Sequence, residues 1–294
     1  VAGCSHASRG DVLAARRQEL TMVLARPLIM GVVNVTPDSF SDGGAWFSTS
    51  AAIAHAEQLV ADGAAILDIG GESTRPGAVR PAEDEEWRRV IPVIRGIVDV
   101  GVPVSIDTMR ARVAAAALDA GASIVNDVSG GAADPDMGRV VAEAGVDYIA
   151  MHWRGHSVDM QSRAVYDDVV ADVCRELTAR VEALAEVGVD PDRIVLDPGF
   201  GFAKLAQHNW ELLRGLDVVA AMGHRVLVGT SRKKFLGLVG REPDSERPAL
   251  DRDMATAMTS AYAADHGAWA VRVHDVRSTV DAFDVRDALR GSDG

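Results

Sequence analysis

The sequence predicts a single-domain α/β protein, an eightfold β/α (TIM) barrel. Eight short apolar runs recur along the 294 residues, and helix-length segments separate them. That alternation suits a closed parallel sheet ringed by helices, for which about 250 residues is typical. Nearly every run also stops at a residue able to do chemistry. In such a barrel the active site collects at the C-terminal strand ends, so these residues converge on one face.

Leu28–Val33 stops at Asn34, and a polar segment, Thr36–Ser48, precedes a helix over Ala51–Asp62. Ile66–Ile69 stops at Gly70-Gly71-Glu72, and Glu72–Pro81 leads to a helix over Glu83–Val100. Loops of β/α units usually run about 2–6 residues, and longer ones tend to be functional. These two segments, with turn-forming Pro37, Gly43, Gly44, Pro76 and Gly77, are the lid candidates. Val102–Ile106 stops at Asp107 before an Ala-rich helix, Met109–Ala120. Ser123–Val125 stops at Asn126-Asp127, and Asp134-Pro135 starts the helix Asp136–Ala144.

Tyr148–Met151 stops at His152. Val169, Val173, Leu177, Val181 and Leu184 then mark one face of a long helix that Gly188 ends. Ile194–Leu196 stops at Asp197, and Val226–Val228 leads through Gly229-Thr230 to Ser231-Arg232-Lys233. The stretch 237–250 reads as a surface loop before a helix over Ala255–Asp265. Trp269–Val271 stops at Arg272-Val273-His274, and a last helix runs over Val276–Leu289. Residues 1–26 read as a loose extension ahead of a barrel over 27–290. Met22 stands just before the first strand, which leaves the native start open.

The net charge of −13 argues against a nucleic-acid partner, though a local cationic pocket can still take an anionic small molecule. No apolar stretch approaches the ~20 residues that span a bilayer, and no signal-peptide core is visible, so no membrane role is expected. Cys4 and Cys174 read as free thiols, and the expected setting is a reducing cytoplasm.

Asp107, Asn126 and Asp197 each stand at a strand end in apolar surroundings. Buried carboxylates need partners. Three polar groups converging inward suit a heterocycle whose adjacent N–H donors a carboxylate accepts in pairs; barrel-mouth ion pairs and turn caps are the plainer alternative. Gly70-Gly71 lets backbone approach a ligand, and Arg75 suits phosphate. Arg272 and His274 alternate along a strand and so point the same way, as an anion site would use them. Lys234 reads as a solvated charge.

Asn34–Gly44, Gly70–Gly77, Ser105–Thr108, Asn126–Gly131, Met151–Trp153, Asp197–Lys204, Ser231–Lys233 and Arg272–Asp275 together resemble dihydropteroate synthases. The resemblance is collinear from about residue 27 to 290. It implies the joining of 7,8-dihydropterin-6-ylmethyl diphosphate to p-aminobenzoate, with release of pyrophosphate. It assigns Asp107, Asn126, Asp197 and Lys233 to the pterin edge, with Met151 and Phe202 lining the pocket. It assigns Asn34, Arg75, Arg272 and His274 to the diphosphate, assisted by Thr74, with Mg²⁺ between Asn34 and the phosphate oxygens. Phe40, Pro76, Ser231 and Lys233 would form the p-aminobenzoate pocket once the lids close, with Asp38 and Arg75 pairing across them. Asp107, Asp197, Lys233, Arg272 and His274 are the expected catalytic groups, in a cytoplasmic homodimer. The lids would order only with pterin and pyrophosphate present, so the pterin substrate would bind first.

Two rivals share part of this pattern. A methyltransferase using methyltetrahydrofolate would keep the pterin carboxylates but would not need Arg75, Arg272 and His274. A non-catalytic pterin-binding relative would not need intact lids. Pyrophosphate release on mixing the two substrates separates all three readings.

Overall fold

In the computed structural model, the described residues are 26–36, 49–72, 80–156, 160–241 and 245–291. Eight parallel strands close into a barrel in chain order, with β8 paired to β1. The strands are β1 Leu28–Asn34, β2 Ile66–Gly70, β3 Val104–Asp107, β4 Ile124–Asp127, β5 Asp147–Met151, β6 Ile194–Asp197, β7 Arg225–Val228 and β8 Ala270–Val273. The helices that pack around them are α1 Thr49–Ala61, α2 Glu83–Ile97, α3 Ala111–Asp119, α4 Met137–Ala144 and α5 Val169–Glu186. They continue with α6 Ala206–Arg214, α7 Leu216–Ala220, α8 Lys234–Gly237, α9 Asp253–Asp265 and α10 Val276–Arg290.

Side chains alternate along a strand, and this sorts the molecule into layers. Outward-facing Val33, Leu67, Ile106, Val125, Leu196 and Val271 pack beneath the helices in the main core. Full burial of such a side chain stabilises the fold by roughly 1.5–3 kcal/mol. Inside the barrel, Met30, Ile66, Ile124, Ile149, Val195, Leu227 and Ala270 form a second apolar layer near the strand starts. Two residues further along, the inward positions carry Asp68, Asn126, Met151, Asp197 and Arg272. The barrel is thus sealed below by hydrocarbon and polar above.

Local chemistry sets the element ends. Asp168 caps α5, accepting from the Val170 and Ala171 amides at 3.0 Å, a bond worth about 1 kcal/mol. Gly188 ends that helix with φ 94°. Four acidic residues, Glu83 to Glu86, occupy the first turn of α2, where the helix dipole favours them.

Three expectations shift. The third strand begins at Val104, after Pro103, which has no N–H to give a ladder. The Ala-rich helix begins at Ala111, because Arg110 holds an extended backbone as its N-cap. The expected surface loop 237–250 begins buried at Gly237, the last residue of α8, and ends in a short 3₁₀ turn, Ala249–Arg252. Between β6 and β7, Gly215 divides the helical stretch into two short pieces, α6 and α7. The extension lies outside the described residues apart from Arg26, which pairs with Asp284 of α10 at 2.6 Å.

Candidate active site

The polar layer is bound together by one guanidinium. Arg272 of β8 donates Nε to Asp68 Oδ2 at 2.6 Å and Nη2 to Asp107 Oδ2 at 2.7 Å. Asn126 of β4 donates Nδ2 to the same Asp68 oxygen at 3.0 Å. Three residues from β2, β3 and β4 are therefore tied to β8 across the barrel interior. Arg272 thus directs its Nε and Nη2 edges at carboxylates, whereas His274 Nδ1 lies 2.9 Å from Ser231 Oγ, in the loop after β7. The two side chains share a face of the chain yet engage different partners.

Asp68 was missed in the sequence. Its signal was present: a lone carboxylate inside the apolar run Ile66-Leu67-Asp68-Ile69, completely buried. Its Oδ1, like the Ser105 Oγ next to it in register, is buried with no hydrogen-bond partner among the described residues.

Burial and the nearby carboxylates push Asp107 up to about 7, against the pull of Arg272. The carboxylates in turn hold Arg272 firmly protonated despite its burial. Burial also raises Asp197, opposed by the Gly199 amide, which donates to Asp197 Oδ1 at 2.8 Å, and by the charge of Lys233. Burial and Arg272 pull Lys233 down to about 8. Lys233 Nζ sits 4.1 Å from the centre of the Phe202 ring, a cation–π contact.

Two glycines make this geometry possible. A Cβ on Gly199 would come within 2.6 Å of the His152 carbonyl, and its φ is +72°. A Cβ on Gly201, φ +78°, would meet Lys233 Cδ at 2.9 Å. Only glycine accepts both the crowding and the left-handed backbone. Met151 and Phe202 join Met109 and Val128 in an apolar cluster beside the carboxylates. A small cleft opens there between Glu72, Trp153, His156 and Phe202.

Ser231 and Lys233 flank Arg232, a non-glycine residue at φ 57°. Asp253 of α9 holds the Arg232 guanidinium with two bonds of 2.7 Å, and Thr256 Oγ1 accepts from its amide at 3.1 Å. Asn34 stands half-buried at the end of β1. Phe40, Thr74, Arg75 and Pro76, and the Asp38–Arg75 pairing, lie outside the described residues. The arrangement offers buried acceptors for paired N–H donors, an apolar wall for a flat ring, and cations at the rim.

A family model described as pterin binding enzyme matches residues 30–274. The chain is 53% identical over 266 residues to dihydropteroate synthase of Mycobacterium leprae, covering 90% of this chain and 94% of the relative. Among solved structures it resembles Xanthomonas albilineans dihydropteroate synthase with 4-aminobenzoic acid, at 44% identity and a TM-score of 0.84, covering 92% of this chain and 95% of that one. A second structure of that enzyme, in complex with 7,8-dihydropteroate, matches at 41% identity and a TM-score of 0.80, covering 92% and 96%. On the closed barrel, the match across nearly its whole length and these identities, the chain belongs to the dihydropteroate synthases, transferases of the pterin-binding enzyme family.

Proposed function

We propose that the chain joins 7,8-dihydropterin-6-ylmethyl diphosphate to p-aminobenzoate through an SN1-like pterin cation. The observation that carries the site assignment is the buried polar layer, where Asp107, Asn126 and Asp197 converge above an apolar floor. The relatives solved with 4-aminobenzoic acid and with 7,8-dihydropteroate support the substrates.

In this reading Asp107, Asn126, Asp197 and Lys233 hold the pterin edge, and Met151 and Phe202 pack on the ring. Cleavage of the C–O bond sends its electron pair away with pyrophosphate and leaves the methylene carbon positive. The fixed negative charge of Asp197 favours that cation without reorganisation. The amine of p-aminobenzoate then forms the C–N bond and loses its proton, in a pocket built from Ser231, Lys233, Phe40 and Pro76. Arg272 and His274, with Arg75 and Thr74, hold the diphosphate, and lid closure keeps water from the cation.

Mg²⁺ suits this donor set when carried on the diphosphate. Among the described residues no group of three or more His, Cys, Asp or Glu could cage a metal. Mg²⁺ is usually held by substrate phosphates and only one or two protein oxygens. Asn34 Oδ1 and Asp107 Oδ2 face a gap that Gly70 leaves open; a Cβ there would lie 3.8 and 3.6 Å from them. When bound, the ion neutralises charge on the leaving group.

The homodimer is also proposed. Met254 and Met258 on α9, and Val285 and Leu289 on α10, are exposed at spacings of four, and the two helices pack side by side. Each pair leaves a short apolar strip on its helix, which a second copy in the cytoplasm would cover. Pyrophosphate release with both substrates and Mg²⁺ tests the reaction; no product above background with folded protein overturns it.

A further inference from the structure

We propose that Lys204, His152 and Glu176 are positioning residues for pterin binding, a hydrogen-bonded relay that sets Asp197 from behind. The inference rests on the reading that Asp197 holds the pterin.

Lys204 lies in the loop after β6 and is only 3% exposed. Its ammonium meets three acceptors, His152 Nδ1 at 3.0 Å, Gly199 O at 3.1 Å and Phe202 O at 3.3 Å. An ammonium only donates, so His152 Nδ1 must accept and the imidazole proton sits on Nε2. That nitrogen lies 2.9 Å from Glu176 Oε2 on α5. Arg154 holds the same carboxylate from the other side and covers the Tyr166 ring at 3.9 Å. The charges therefore run cation, neutral ring, anion, cation, each group with a matched partner.

The output of this chain is Gly199. Lys204 grips its carbonyl while its amide donates to Asp197 Oδ1. Lys204 also grips the carbonyl of Phe202, whose ring carries Lys233. Both walls of the pterin pocket are thus tied to one buried ammonium that touches no reacting atom. Burial pulls Lys204 down to about 7. A simple packing role would be met by an apolar side chain at far less desolvation cost.

A double-mutant cycle on the full chain tests this, reading calorimetric affinity for a dihydropterin without diphosphate, KM for p-aminobenzoate and melting temperature. Lys204→Met should weaken pterin binding about tenfold or more, as loss of a charged hydrogen bond does. In an Asp197→Asn background the same change should cost less than about threefold, because coupled residues are not additive. KM for p-aminobenzoate should change less than pterin affinity, because the relay reaches that pocket only at second hand, through Phe202 and Lys233. Equal losses in both backgrounds would make Lys204 a packing residue and overturn the relay. If Asp197→Asn alone leaves pterin affinity intact, the pocket assignment falls first. Should Lys204→Met fail to fold, Glu176→Gln decides. Glu176 is partly exposed, so that variant should fold and bind pterin several-fold more weakly. Unchanged pterin affinity in Glu176→Gln overturns the proposal. His152→Asn, which keeps an acceptor near the Nδ1 position, should bind pterin more tightly than His152→Leu; equal affinities would count against the relay.

Discussion

Arg272 Nη2 is hydrogen-bonded to Asp107 Oδ2 at 2.7 Å, a contact between residues 165 apart in sequence. Asp68 holds the neighbouring Nε, so one guanidinium fixes two buried carboxylates. Arg272→Ala would leave both without their cation. Breaking a buried pair in this way costs about 3–5 kcal/mol. The melting temperature should fall clearly, and affinity for pterin should fall alongside affinity for pyrophosphate, because Asp107 loses its orientation. An unchanged melting temperature would contradict the clamp.

Asp197→Asn keeps the size of the side chain but removes its charge and one acceptor. The lost charged hydrogen bond is worth roughly 1.5–3 kcal/mol. Pterin affinity should fall about 10- to 150-fold, with turnover reduced further by loss of the negative charge near the cation. Calorimetry with wild-type affinity for pterin would rule out this role.

Burial and the Arg272 charge pull Lys233 down to about 8, which favours the ammonium below that value and the free amine above it. If the ammonium is the form that holds the pterin, affinity should decline as pH rises through about 8. Phe202→Leu removes the ring that favours the cation. Its pH midpoint should move down. A midpoint that stays put would mean that the ring does not act on Lys233.

The barrel was legible because strand and helix periods alternate without a break, and because each strand end carries its own polar residue. Asn126 and Asp197 fall where that rule puts them, in β4 and at the end of β6, while Ser231 and Lys233 stand in the loop after β7. What the rule could not see is partner choice across the barrel. That Arg272 meets Asp107 and Asp68 depends on strand register and barrel closure, which bring β2, β3 and β8 together. Asp68 sits mid-strand, where a period-two reading expects hydrocarbon. Lys204 and His152 were visible as motif letters, but their hydrogen bonds depend on how one loop folds back.

Arg232 is held in a left-handed conformation by its paired bonds to Asp253. Such a backbone costs a non-glycine residue of order 1–3 kcal/mol and persists only when the surroundings enforce it. Asp253→Ala should release the turn that presents Ser231 and Lys233. KM for p-aminobenzoate should rise several-fold. Arg232→Gly added to Asp253→Ala should recover part of the loss, since glycine accepts φ 57° without the clamp. No recovery would show that the clamp acts through something other than the backbone.

His152 is pulled down to about 4 by burial and by the Lys204 ammonium, against the pull of Glu176. Its ordinary value is 6.5. Between these values the unfolded chain binds the proton and the folded chain refuses it. Stability from this group is therefore intact above 6.5 and is lost as pH falls toward 4. Linkage puts the loss between pH 7 and pH 5 at roughly 2 kcal/mol. Other buried groups shift the absolute curve, Asp107 in the opposite sense because it takes up a proton more readily when folded. The difference between two proteins isolates the histidine. His152→Asn should be less stable than the parent at pH 7, and urea titrations should show that gap narrowing by roughly 2 kcal/mol at pH 5. A gap that stays constant or widens on acidification would mean that His152 is already charged in the folded protein, and that its Nδ1 does not accept from Lys204.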